Sequence, residues 1–574
     1  MNPTTDKPNV TTKKILQFDK PTFWIVFFEL LVLLQLALIF IFNLTHLKYE
    51  AGFDSSAAMA QAIEVWNQKT IFLKDWSYQS TLGLDSLLIP ASLLYGITHN
   101  IFLAYGIADC LGVVLYICIF RDILKTLGTS KLARMIAYVI LLTPYSLEPL
   151  GYMPMMFTGA AYYIVKVLIP IMLMDIMLKL HNKVAIKKFI PLLAIYGISL
   201  YLTGLSCGLY LFICGIIPII LYELFLVVKS GNLKNIISAP FLLILISTVI
   251  FAMGYISGKM YGASEFTNAM ILCQVNNFTD NFFKCLVGIA ELFGALPSQD
   301  IVVTSAFGIH YLSHMAAFLI CIALLLITIK SVKPFSLTKK VSEVKITDAV
   351  TNCPLTQSTL VSMVVGMVTC IILVNLAVLT LTDTTYGSET FEFRYHLIPV
   401  VAGFLIVCIG IDNLTEWFRN NGNELLSHVI LAIIGCIWIL SNCVFAYYFK
   451  SVNMYDTSEQ IRAVVKNELN YDRVYFVGED EKVVEMSRIM RLTDPDLIVT
   501  DGSELGVYRY WGVSTKYYDP IFSMEKVLIV YDEEEYKGCD HRFQAASKLL
   551  ATVDRYQIYE FTPSDVIYEE EDVN

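Results

Sequence analysis

The sequence predicts a polytopic α-helical membrane protein that carries a small α/β domain at its C-terminal end. Three observations predict it. Apolar runs long enough to cross ~30 Å of hydrocarbon recur along most of residues 22–449. Lys and Arg gather in the loops between alternate runs. From residue 450 onward the runs give way to short β-branched stretches separated by helical ones. The chain is 56% hydrophobic and 16% charged, with a mean hydropathy of +0.60. A soluble chain this apolar would aggregate. A net charge of −10 gives no reason to expect a nucleic-acid partner.

Residues 1–21 hold Lys7, Lys13, Lys14 and Lys20, which favour a cytoplasmic start. The first apolar run, Phe23 to Phe42, has no small-residue cleavage site behind it and reads as a retained anchor. Basic loops follow at Arg121, Lys125, Lys131 and Arg134, then at Lys179, Lys183, Lys187 and Lys188. Further ones lie at Lys229 and Lys234, at Lys330 to Lys345, and more weakly at Arg419. Alternating between them predicts about eleven crossings, near 22–43, 101–120, 135–152, 155–178, 189–204, 205–226, 237–257, 310–329, 360–381, 396–412 and 427–448. An odd count puts the C-terminal domain outside. Leu84 to Thr98 is apolar but short, and counting it as a crossing would place the loop at Arg121 outside. It is expected to be interfacial or re-entrant, with Asp85 touching water.

Residues 450–574 form the second unit. Strands are expected at Val474–Gly478, Asp496–Thr500, Lys526–Val530 and Tyr556–Glu560, with a helix over Val483–Arg491. No GxGxxG follows the first strand, so no nucleotide site is read there. From Ser451 on, 26 Asp+Glu face 13 Lys+Arg, which leaves the membrane part slightly basic. The 13 Cys contain no CxxC pair. Cys273 and Cys285 share one outward loop, where pairing and two free thiols are both open.

The candidate functional residues all fall on the outward side of this topology. The loop 44–100 holds Glu50 and Asp54, then a helical stretch whose Ala58, Ala62, Val65 and Trp66 form an apolar stripe, then Trp76 and Tyr78. Asp54 is placed either to cap that helix or to act as an acid/base group. Glu50 reads as a solvated neighbour. Glu148, at the end of an apolar run between prolines, is either a ligand for a divalent metal, a second acid or a solvated side chain. Arg394, in Glu392-Phe-Arg394-Tyr395-His396, breaks the positive-inside trend, so something should hold it there: a phosphate, a salt bridge to Glu392, or snorkelling to the headgroups. His310 and His314 are spaced i,i+4, the spacing of a shared metal, but no third ligand is near in sequence.

Taken in order, Phe53-Asp54, Trp76-Ser-Tyr78, Leu84 to Gly96, Tyr201-Leu-Thr-Gly204 and Phe393-Arg-Tyr395 through Pro399 resemble elements of the GT-C class of integral membrane glycosyltransferases. That class includes aminoarabinose transferases and protein O-mannosyltransferases. Ser55 stands where a second acid usually follows, Asp109 where many relatives have Arg, and Ser206-Cys207 where a Lys is common. The resemblance implies a multi-pass protein of a bacterial plasma membrane. Its donor would be a polyprenyl-phosphate-linked sugar and its acceptor a cell-envelope glycan or protein. Transfer would be inverting, with Asp54 as the carboxylate base, Arg394 on the donor phosphate, and Glu50, Glu392, Tyr395, His310, Trp76 and Tyr78 as accessory residues. Three alternatives stay open. A polysaccharide polymerase or ligase is disfavoured by the short late loop 382–395. A transporter is disfavoured by the lack of an internal repeat. A non-enzymatic scaffold would leave Asp54 and Arg394 far apart.

Overall fold

The computed structural model describes residues 20–78, 82–147, 151–159, 163–231, 237–260, 272–296, 301–336, 355–382, 393–448, 454–509, 513–515, 518 and 520–566. The N-terminal part is helical. In chain order it holds α1 (Lys20–Thr45), α2 (Phe53–Gln68), a two-residue strand β1 (Trp76–Ser77), α3 (Leu88–Thr98), α4 (Ile101–Thr126), α5 (Lys131–Leu142), α6 (Tyr152–Met156), α7 (Ile164–His181) and α8 (Ile190–Leu205). Then α9 (Leu209–Leu211) runs through a π turn at Phe212–Ile216 into α10 (Ile217–Ser230). There follow α11 (Ala239–Met260), α12 (Phe278–Leu292), α13 (Ala306–Val332), α14 (Gln357–Leu381), α15 (Leu397–Asn420) and α16 (Glu424–Tyr448).

Eight helices among the described residues are long and apolar enough to cross a membrane. They cover eight of the eleven expected crossings. At the positions of the other three lie helices that are too short or too polar to meet that measure. α5 has 12 residues and α8 has 16, about 18 and 24 Å at 1.5 Å per residue. α7 has 18 residues but carries Lys166, Asp175 and Lys179. It is also the central helix: every residue from Val167 to Leu178 is buried, Asp175 among them, as expected for a helix with protein on every side. α13 is the opposite case, with Leu312, Leu319, Leu326 and Ile327 all more than half exposed. Such an aliphatic face suits lipid rather than water. α3, the expected re-entrant segment, has 11 residues and at about 16 Å cannot span the bilayer.

α8 and α11 meet through glycine. A Cβ on Gly204 would stand 2.4 Å from the Phe251 carbonyl oxygen, and one on Gly254 would stand 2.3 Å from that of Tyr201. Only the missing side chains let the two backbones come this close, the small-residue packing common between membrane helices. Gly254→Leu must push the helices apart. Overpacking of this kind costs about 1–3 kcal/mol, and thermal unfolding in detergent should show a clearly lowered midpoint.

Contacts define the two ends of the bundle. At one end lie the basic loops. There Lys179 Nζ sits 2.6 Å from Asp122 and 2.5 Å from Asp175, and the Ser130 amide donates to Asp412 at 3.2 Å. At the other end Asn43 Nδ2 donates to the Phe157 carbonyl at 2.7 Å, and the Tyr145 ring packs on Phe293 and His314. The loop 44–100 belongs to this second end. Trp66 of α2 lies flat on Gly96 of α3, where any Cβ would stand 2.3 Å from the indole. The two short helices thus form one layer.

The C-terminal unit opens with α17 (Met454–Ala463) and continues with β2 (Arg473–Val477), α18 (Glu481–Thr493), β3 (Ile498–Glu504), β4 (Val507–Tyr508), β5 (Val513–Ser514), β6 (Val527–Asp532), β7 (Ser547–Val553) and β8 (Tyr556–Phe561). Six strands form one mixed sheet in the order β4-β3-β2-β6-β8-β7. β2 is parallel to β3 and β6, and the outer pairs are antiparallel. Alternation along the strands fills both faces. Val474, Phe476, Leu528 and Val530 pack under Met486 and Met490 of α18, while Tyr475, Val477, Ile529 and Tyr531 pack on the other side with Ile521 and Phe561. The four expected strands and the expected helix are present. β7 and α17 complete the layer.

Candidate active site

Asp54 lies in the first turn of α2. The cap position is held by Gly52, whose backbone is extended (φ −73°, ψ −173°) and makes no side-chain cap bond. Ser55 Oγ instead donates to the Gly52 carbonyl at 3.1 Å. Asp54 is therefore two residues past the cap. A carboxylate in a first helical turn is favoured by the dipole.

Arg394 comes from the 3-10 turn Phe393–His396 that leads into α15. Tyr395 anchors that turn. Its carbonyl accepts from Asn375 Nδ2 at 3.2 Å and from the Tyr210 hydroxyl, and the Tyr210 and Tyr395 rings pack at a 57° tilt with centroids 4.9 Å apart. The turn aims Arg394 at α2. Arg394 Nη1 lies 3.6 Å from Asp54 Oδ2, and each side chain keeps 23% of its surface exposed. Asp54 is thus one anion beside the outlying arginine. Two oppositely charged groups, both open to solvent, thus meet at the end of the bundle opposite the basic loops.

The C-terminal unit reaches the same place. α18 packs on α2, and Glu485 Oε1 stands 3.3 Å from the point a Cβ on Gly52 would occupy. One turn further, Arg488 is 2% exposed. Its charge interacts with Asp501, Arg491 and Tyr518 of its own unit and with Asp54 across the seam, while burial pulls its pKa down. β1 pairs with β5, Trp76 facing Ser514, and the Thr515 amide donates to the Asp75 carbonyl at 2.6 Å. No motif in the sequence singled out Arg488. A guanidinium at an apolar helix position, between Val484 and Leu492, was the available signal.

Glu50 is not the solvated bystander its loop position suggests. The residue is half-buried and its Oε2 is fully enclosed without a hydrogen-bond partner, and this burial lifts its pKa from 4.5 to about 7. Asp109 of α4 is close enough for its charge and that of Glu50 to repel. A carboxyl whose folded pKa is raised favours folding only while it is protonated. Below pH 4.5 it is protonated in both states. As pH rises from 4.5 to about 7 the unfolded chain ionises first, so stability falls, and the loss is complete above 7. Glu50→Gln removes this penalty. Its melting temperature should exceed that of the unmutated protein at pH 8, and the two should converge at pH 4.

Asp85 does not touch water either. It is 2% exposed, and its Oδ2 lies 3.6 Å from Lys166 Nζ. Burial raises its pKa and Lys166 partly offsets this. The Leu84 amide donates to Ser206 Oγ at 2.9 Å, which ties the segment to the α8 end. The physical reason is pairing: Lys166, at the end of α7 away from the basic loops, needs a buried anion, and Asp85 is it.

The remaining candidates divide. Glu148 and Glu392 lie outside the described residues. Trp76 is half-buried in the β1–β5 seam, and Tyr78 accepts from the Leu73 amide at 3.0 Å. His310 is buried beside His314, with ring centroids 4.1 Å apart. His314 bonds Ser441 Oγ at 2.5 Å and the Phe293 carbonyl at 3.0 Å, so the pair belongs to the helix packing. Among the described residues no group of three His, Cys, Asp or Glu is arranged to hold a metal ion. Cys273 and Cys285 are both free.

No family model matches the chain, and no curated protein does. Two crystal structures of ArnT from Cupriavidus metallidurans are similar to it over nearly its whole length. The one bound to undecaprenyl phosphate is 10% identical with a TM-score of 0.49, covering 96% of this chain and 100% of that one. The apo form is 11% identical with a TM-score of 0.39 and the same coverage.

Proposed function

We propose that the protein transfers a sugar from a polyprenyl-phosphate-linked donor to an extracytoplasmic acceptor, a cell-envelope glycan or protein, with inversion at the anomeric carbon. The observation that carries this reading is the approach of Asp54 to Arg394 at 3.6 Å, both side chains partly open to solvent, at the end of the bundle away from the basic loops. By loop charge that end faces outward, and the resemblance to the membrane glycosyltransferases supports a bacterial plasma membrane as its setting. Asp54 takes the proton from an acceptor hydroxyl as its oxygen attacks the anomeric carbon. The bond from that carbon to the lipid phosphate breaks, and Arg394 carries the charge that develops on the departing phosphate oxygen. Before substrate arrives the two side chains hold each other. A donor phosphate drawing Arg394 toward itself leaves Asp54 available to the hydroxyl. Arg488 acts through Asp54 as a positioning residue.

The test is reconstitution. Purified protein in liposomes with a labelled polyprenyl-phosphate sugar and an envelope extract should release polyprenyl phosphate and label a product, and Asp54→Asn should do neither. Equal release by protein and empty liposomes would remove the proposal.

A further inference from the structure

At the end of the bundle away from the basic loops, five side-chain oxygens are buried with no hydrogen-bond partner: Asn43 Oδ1, Glu50 Oε2, both carboxylate oxygens of Asp109, and Thr158 Oγ1. Asp109 and Thr158 are fully buried and Asn43 is 1% exposed. Glu50 is half-buried, so the group opens toward solvent there. The four residues come from separate segments that packing brings together. α1 meets α4 at Gly106, where a Cβ would stand 2.1 Å from the Asn43 carbonyl oxygen. Asp109 lies three residues on, along the same face of α4. Asn43 Nδ2 donates to the Phe157 carbonyl at 2.7 Å, which brings in Thr158. Glu50 lies beside Thr158 and close enough to Asp109 for the two charges to interact.

The neighbouring side chains do not answer these oxygens. Among the described residues no Lys or Arg acts on either carboxylate. The Tyr105 hydroxyl already donates to the Ala58 carbonyl at 3.0 Å. The Cys110 thiol lies beside the Asn43 amide, but a thiol is a weak donor and leaves Asn43 Oδ1 without a bond. Two carboxylates without a counter-charge are costly to bury. Water could bond them but could not balance their charge. The donor set selects the cation. Only two of the four side chains are of the His, Cys, Asp or Glu type, which is why no group of three such residues is found here. An amide oxygen and a hydroxyl supply the rest, and the absence of nitrogen and sulfur ligands disfavours zinc. Calcium takes about six to eight oxygens in flexible geometry, whereas magnesium demands a near-ideal octahedron and keeps its own waters.

We propose that Asn43, Glu50, Asp109 and Thr158 bind one calcium ion, with water completing its shell. The ion ties α1 and α4 to the segment that leads into α2. Glu50 stands four residues before Asp54, so the ion fixes the entry of the helix that carries Asp54. The proposal stands without the transfer reading.

The full-length protein in nanodiscs of zwitterionic lipid, stripped with a chelator and titrated with calcium chloride at pH 8 and constant ionic strength, tests it. Calorimetry should show one site, in the roughly 10⁻⁴–10⁻³ M range of extracellular calcium modules. The melting midpoint should rise with the logarithm of the calcium concentration. Asp109→Asn and Glu50→Gln keep the shape of each side chain and remove one charged ligand. Each should weaken binding about tenfold or more and lose most of the rise. In chelator Glu50→Gln should melt above the unmutated protein at pH 8, because burial raises the Glu50 pKa, and saturating calcium should reverse that order. The reversal reads out the site even if Asp109→Asn fails to fold. Calcium that moves neither the midpoint nor the order, as expected if the carboxyls are instead protonated, overturns the proposal. So does a rise that persists in both variants, which would place the ion on acidic residues elsewhere, or a response to magnesium equal to that of calcium.

Discussion

Asp54→Asn is expected to lose turnover by about 10²–10⁴-fold, the range a positioned general base supplies. The amide keeps the shape of the side chain and can still face Arg394, so the fold and the C-terminal seam should survive. The loss should therefore fall on the rate of transfer and not on the amount of folded protein, which gel filtration and a melting curve would show. Asp54→Glu carries the base on a longer stem and should recover part of the rate. An unchanged rate in Asp54→Asn would mean that another group takes the proton. Glu50 would be the first to examine, because its pKa near 7 suits proton transfer.

The second large effect is expected at Arg394. Arg394→Gln removes the charge offered to the departing phosphate, and losing one such electrostatic group costs about 10²–10³-fold in turnover. Arg394→Lys keeps a positive charge but loses the planar fork, and it should sit between the two. Both variants should also weaken binding of polyprenyl phosphate. That separates a phosphate-binding role from a purely structural ion pair with Asp54, whose loss would leave lipid phosphate binding alone. A half-exposed structural pair would also change stability by only about 0–1 kcal/mol.

Much of the architecture was legible because it is periodic or long. The strands around Val474, Val499, Leu528 and Ile558 announce themselves through alternating apolar residues that serve both faces of the sheet. Eight crossings announce themselves by length. α7 reads poorly because Lys166, Asp175 and Lys179 interrupt it. Each is paired in the fold, with Asp85, Asp122 or one another, and pairing across distant helices leaves no local trace. The same reason explains the reading of Asp85 as a group in water.

The site divides in the same way. Arg394 and Asp54 stand out by residue type and by the side of the membrane that loop charge gives them. Their 3.6 Å approach belongs to three dimensions only. Glu50 looked exposed because nothing in its loop shows that the rest of the chain encloses one of its carboxylate oxygens. Arg488 and the seam between α2 and α18 were invisible because each half looks complete in sequence. The arginine reads as one more charge on an amphipathic helix, and Trp76 as one more interfacial aromatic.

The central claim is that Asp54 serves the chemistry while Arg394 serves the lipid phosphate. The most direct test measures polyprenyl-phosphate binding and sugar transfer on the same nanodisc preparation of Asp54→Asn. The account predicts that binding is kept and transfer is lost. Loss of both would make the Asp54–Arg394 pair a structural strut, and retention of both would take the chemistry away from this pair.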